Sequence, residues 1–126
     1  MAGLNILVVD DEVQITLSIK MALKKSGHTV DAVYNGAEAL TRLTELPNHY
    51  QILIVDHHMP EIFGLEFLVR LPMNAFKGKI IVLSAYLTPD LEAKYRALGA
   101  ERIMQKPFGV LELRKTIEEL KPSAVE

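Results

Sequence analysis

Asp10, Asp11 and Glu12 form an acidic triplet directly after the apolar run Ile6 to Val9, and Asp56 follows a second such run, Ile52 to Val55. Ser84 follows a third, Ile80 to Leu83, and Lys106-Pro107 comes after a shorter one, Arg102 to Met104. In a parallel sheet the carboxyl ends of such strands share one edge, where ligands bind, so acids, a hydroxyl and a lysine would converge there. Carboxylates within about 4 Å of one another repel by a few kcal/mol even at an effective dielectric near 20, and the cluster therefore asks for a cation. Oxygen ligands without cysteine fit Mg²⁺, with Mn²⁺ as the alternative, because a hard ion binds through one or two carboxylates and commonly holds a phosphoryl group as well. An ion, a lysine and a hydroxyl around one carboxylate make a device for phosphoryl transfer, in which catalysis is mostly positioning and charge neutralisation. Asp56 is then the nucleophile that forms an acyl phosphate, and Ser84 donates a hydrogen bond to a phosphoryl oxygen.

Each of these residues also has a plainer reading. Asp-Asp-Glu ahead of a helix can cap it and oppose its dipole, an aspartate or serine after a strand can be a turn residue, and Lys-Pro is a common surface dipeptide. Their joint appearance at the strand ends carries the functional reading. His57 and His58 adjoin Asp56, but neighbouring side chains after a strand point in different directions, which argues against a transition-metal site using both.

Elements of a definite kind are needed to bring these residues together. Short β-branched runs, including Thr29 to Val33, alternate with segments of helical period, which predicts a doubly wound α/β domain with a central parallel sheet. Ile15, Ile19, Ala22 and Leu23 make one helical stripe, ended by Gly27. Ala37, Leu40 and Leu43 make a second, with Asn35 as its cap and Pro47 beyond its end. Gly64 to Leu71 is a third, stopped by Pro72; Leu91, Tyr95 and Leu98 mark a fourth, opened by Thr88-Pro89 and closed by Gly99. Val110, Leu113, Ile117 and Leu120 mark the fifth.

The 126 residues suit one domain, and 49% hydrophobic against 24% charged residues is a globular composition. Fourteen basic against sixteen acidic residues give a net charge of −2, so no basic surface for nucleic acid is expected. The absence of cysteine excludes disulfides and thiol chemistry and fits a reducing cytoplasm. No stretch has the roughly 20 apolar residues of a membrane span, and the N-terminus does not read as a signal peptide. The expectation is a cytoplasmic protein with no membrane contact.

ILVVDDE at the first strand, ILIVDHHMPEIFG around Asp56, LSAY at the fourth strand and KPF at Lys106-Pro107-Phe108 stand in the order found in one family. Over nearly its whole length the sequence resembles the CheY-like receiver domain of two-component response regulators. The resemblance implies one (βα)5 flavodoxin-like domain over residues 1–126, with strand order 2-1-3-4-5. It implies that Asp10, Asp11, Asp56 and the backbone carbonyl of His58 hold Mg²⁺, and that Asp56 is the phosphorylation site. Ser84 matches the switch hydroxyl, Lys106 the phosphate-contacting lysine, and Pro107 the proline that follows it through a cis peptide bond. Tyr86, with His58, matches a position that governs phosphate lifetime by shielding the group from water.

The implied partners are a sensor histidine kinase or histidine phosphotransfer protein and a downstream protein target. Phosphorylation would reshape the surface of the fourth helix, fifth strand and fifth helix, with homodimerisation there as an open option. Such a domain is a switch more than an enzyme, although it assists its own phosphorylation from small donors and its own dephosphorylation. Two positions depart from the usual pattern: Ile103 stands where many members carry an aromatic switch residue, and Phe63 stands where a polar residue is common. A flavodoxin-type FMN site is disfavoured because Asp10-Asp11-Glu12 would repel a phosphate in the first loop. An aspartyl-nucleophile phosphatase lacks its second acid, since His58 stands two residues after Asp56. The serious rival is a pseudo-receiver, a binding module that acts without phosphorylation. The sequence leaves open whether the domain stands alone or belongs to a longer regulator or hybrid kinase.

Overall fold

A computed structural model describes residues 3–59, 61–71 and 76–121. Strands and helices alternate strictly: β1 (Asn5–Val9), α1 (Val13–Lys24), β2 (Thr29–Val33), α2 (Gly36–Glu45), β3 (Ile52–Asp56), α3 (Gly64–Arg70), β4 (Lys79–Ser84), α4 (Pro89–Ala97), β5 (Ala100–Gln105) and α5 (Val110–Leu120). All strand pairs are parallel, and the order β2-β1-β3-β4-β5 is the flavodoxin-like one expected above.

Alternate residues of each strand feed two cores, one on each face of the sheet. Leu7, Val9, Leu53, Val55 and Val82 face one side with Ala39 and Leu43 of α2, Phe67 of α3 and Tyr95 of α4. Ile6, Val8, Ile54, Ile81 and Leu83 face the other with Ile19 and Leu23 of α1 and Leu113 and Ile117 of α5. Burying each such Leu or Ile contributes about 1.5–3 kcal/mol over leaving it exposed, so the sheet is clamped from both sides.

The ends of the helices follow local chemistry. The Asn35 side chain accepts from the Glu38 N–H at 2.8 Å, and the Thr88 hydroxyl from the Leu91 N–H at 3.1 Å, which caps α2 and α4. Gly27 and Gly99 close α1 and α4 at φ of 90° and 101°, in the left-handed region. The third helix stops one residue short of the expected Leu71, whose extended backbone suits a residue before proline. Pro72 itself lies outside the described residues. The fifth strand is longer than Arg102 to Met104, because it is an edge strand whose mixed burial leaves no continuous apolar run.

The start of β1 is tied to the end of α1 by His28, which is buried and accepts the Leu4 N–H on Nδ1 at 3.0 Å. Among the described residues its Nε2 has no hydrogen-bond partner, and the Glu118 carboxylate lies 3.7 Å away. Burial lowers the pKa of the ring. His28→Leu is expected to cost about 1–3 kcal/mol, because a buried N–H loses its acceptor. Denaturant unfolding at neutral pH measures this, and an unchanged midpoint would show that the bond contributes nothing.

Candidate functional site

The register brings the expected residues level. Val9 pairs with Val55 and Asp56 with Leu83, while Ser84 pairs with Gln105. Pairing runs one residue further through the His57 N–H to the Leu83 carbonyl and the Lys106 N–H to the Ser84 carbonyl, both at 2.8 Å. Asp10, Asp56, Ser84 and Lys106 therefore stand at the carboxyl ends of four adjacent strands, beside a cavity of about 530 Å³.

Carboxylate oxygens of Asp10, Asp11 and Asp56 all lie within 4.8 Å of one another. Asp10 and Asp56 are buried and Asp11 is exposed, so the group has two fixed walls and one open side. The Lys106 ammonium lies 3.1 Å from Asp10 Oδ2, 3.1 Å from Asp56 Oδ1 and 2.9 Å from Glu12 Oε1. One cation thus answers three carboxylates directly, with a fourth beside them. Burial, reinforced by the neighbouring Asp10 charge, pushes the Asp56 carboxyl up to about 6 despite Lys106. Burial also raises Asp10, although the Glu12 N–H at 2.9 Å and Lys106 oppose it. Burial alone would lower Lys106, but its bonds to Glu12 and Asp10 win, and the ammonium stays charged.

This donor set fits Mg²⁺. It supplies hard oxygen ligands only, carries excess negative charge and opens to solvent through Asp11, as an ion that keeps part of its water requires. Glu12 occupies the N-cap position of α1 without a side-chain capping bond, its carboxylate being drawn to Lys106. The capping reading of that acid therefore fails.

The Ser84 hydroxyl donates to the Tyr86 carbonyl at 2.5 Å and accepts from the Tyr86 N–H at 3.2 Å. It borders the cavity but is satisfied within its own loop. Giving a hydrogen bond to a phosphoryl oxygen would exchange the Tyr86 carbonyl for a charged acceptor, a favourable trade. Tyr86 lines the cavity mouth and is 84% exposed. The Lys106-Pro107 peptide bond is cis. Ile103 is half-buried and packs against the core that contains Tyr95.

The two histidines diverge. His57 turns toward α4, where Nδ1 lies 2.5 Å from the Tyr95 hydroxyl, while His58 is exposed with its ring 5.4 Å from that of Phe63. Among the described residues neither joins the carboxylate group. Phe63, 51% exposed, packs over both rings. Sequence reasoning placed Tyr95 on a helical stripe but missed its bond to His57. The signal available was a tyrosine at a core position, whose hydroxyl must find a partner.

A family model described as the response regulator receiver domain matches residues 6–118. The peroxide stress-activated histidine kinase mak3 of Schizosaccharomyces pombe is 32% identical over 84% of this chain, which spans only 5% of that kinase's length. A probable chemotaxis protein CheY of Rhizobium etli is 31% identical, over 91% of this chain and 90% of its own. The response regulator TrrA of Thermotoga maritima, solved in complex with Mg(2+)-BeF, superposes with a TM-score of 0.79 at 32% identity, covering 96% of this chain and all of that one. With the strand order and the carboxylate cluster already in place, these matches establish that the chain belongs to the response regulator receiver domain family.

Proposed function

We propose that this domain takes a phosphoryl group from a histidine kinase or phosphotransfer protein onto Asp56, in an Mg²⁺-dependent reaction in the cytoplasm. The convergence of Asp10, Asp11 and Asp56 on the Lys106 ammonium carries this reading. An Asp56 oxygen attacks phosphorus in line, the P–N bond to the donor imidazole breaks, and an acyl phosphate forms. Asp10 and Asp11, with Asp56 and the His58 backbone carbonyl, hold the ion, which neutralises phosphoryl oxygens when bound. Lys106 answers the remaining charge, and Ser84 turns from the Tyr86 carbonyl to the new phosphoryl group. Tyr86 and His58 flank the group and limit attack by water. The output is a population shift in the surface of α4, β5 and α5, read by a downstream protein. The resident complex named for TrrA supports the ion, and the kinase named as mak3 supports the donor class.

Intact mass tests the reading. Incubation with Mg²⁺ and acetyl phosphate is expected to add one phosphoryl group, lost in Asp56→Asn and in EDTA. Lack of an adduct from both acetyl phosphate and a panel of histidine kinases, with Mg²⁺ demonstrably bound, would establish a pseudo-receiver instead.

A further inference from the structure

α4 is anchored to the rest of the domain by one fully buried side chain. Tyr95 is its one buried residue, wholly inside the core, while Leu91 is half-buried and the remaining positions carry mainly charge. The Tyr95 hydroxyl reaches past that core to the end of β3. It meets His57 Nδ1, with the two rings edge to face at 5.5 Å. Burial holds the hydroxyl protonated, and the Asp56 charge acts in the same direction, so Tyr95 donates and the His57 ring accepts. Gly64 leaves the room this needs: a Cβ there would sit 2.5 Å from the hydroxyl and 3.0 Å from the Asp56 carbonyl.

His57 is covalently next to Asp56 and adjoins His58, whose carbonyl is assigned to the ion under the proposed function. Any displacement of this segment on phosphorylation moves the His57 ring. The hydrogen bond passes that movement to the single buried side chain of α4. On β5, Ile103 offers no polar atom that could do the same, and it packs against the core containing Tyr95.

We infer that Tyr95 and His57 are positioning residues that couple the state of Asp56 to α4, through the hydrogen bond between the Tyr95 hydroxyl and His57 Nδ1. The inference rests on Asp56 being the phosphoacceptor. Coupling requires an element whose equilibrium both sites bias, and the bond supplies a direct mechanical link between the site and such an element.

The test uses the full 126-residue chain with Mg²⁺ and beryllofluoride, an acyl-phosphate mimic, and reads amide hydrogen exchange along α4 with the site empty and filled. Fluorine NMR reports occupancy in each protein. Tyr95→Phe keeps the buried ring and removes only the hydroxyl. His57→Ala breaks the same bond from the other side and puts no carbon against the Tyr95 hydroxyl. In the parent, filling the site is expected to change α4 exchange rates at least about threefold, and in either variant by less than about 1.5-fold at equal occupancy. The double variant is expected to add nothing further, since both substitutions remove one interaction. A merely structural role would alter α4 exchange in both states alike and leave the difference between them intact. A preserved difference in either variant overturns the inference, as does a filled parent site with no α4 response. No fluorine signal from the bound mimic in the parent would instead strike at the phosphoacceptor reading, and the inference would fall with it.

Discussion

Without a divalent cation, Asp56→Asn is expected to be more stable than the parent at neutral pH, by about 2 kcal/mol or roughly 6–10 °C in Tm. Asp56 is only 3% exposed, and its carboxyl is pushed from 3.8 up to about 6, first by burial and then by Asp10. The folded state therefore holds the proton more tightly than the unfolded chain does. The stability this gives is full below the unfolded carboxylate value near 4 and is lost as pH rises through about 6. At pH 7 the folded domain carries an ionised, buried and incompletely answered carboxylate, because Lys106 is shared with Asp10 and Glu12. The asparagine keeps the shape and removes the charge. Thermal unfolding in EDTA between pH 4 and 8 measures the effect. The gap between the two proteins is expected to open as pH rises, and Mg²⁺ is expected to narrow it by stabilising the parent. A variant less stable than the parent at pH 7 would mean that Lys106 already compensates Asp56 in full.

The site is legible in the sequence because of the way the sheet is buried. A sheet buried on both faces spells its strands as continuous apolar runs, so the residues ending those runs were identifiable, and polar residues there could be assigned to one edge. The apolar runs match β1, β2 and β3 to within one residue at either end. The run in β5 is shorter than the strand, because half of an edge strand faces solvent and breaks it. Side-chain direction was not legible. Glu12 sits where a cap belongs, yet its carboxylate pairs with a lysine 94 residues away, a choice made by charge across the sheet edge. The Ser84 hydroxyl is engaged by the Tyr86 backbone, a partner that no spacing in the sequence reveals. Tyr95 obeyed the helical period, which fixes the face a ring turns to and says nothing of the partner its hydroxyl finds.

Lys106→Met is expected to slow phosphoryl uptake from acetyl phosphate by about 100- to 1,000-fold, the loss typical when one charge-stabilising donor leaves a transition state. The methionine fills much of the stem's volume but brings no charge to the oxygens of the transferring group. Mg²⁺ binding is expected to survive at pH 7, because the ammonium contacts Asp10 Oδ2 and Asp56 Oδ1 and so competes with an ion for the same carboxylates. Loss of Lys106 also removes the opposing charge that holds the Asp56 carboxyl down. At limiting Mg²⁺, uptake in the variant should therefore demand higher pH than in the parent, since only the ionised carboxylate attacks phosphorus and a bound ion would itself keep Asp56 ionised. A time course of intact mass at limiting and at saturating Mg²⁺, repeated at pH 6 and pH 8, separates the two effects. A defect that vanishes at pH 8 would assign Lys106 to keeping Asp56 ionised. A defect that persists at both assigns it to the phosphoryl group, the role its place between Asp10 and Asp56 favours. A rate within about threefold of the parent at both pH values would remove it from the chemistry, leaving its three carboxylate contacts as structure only.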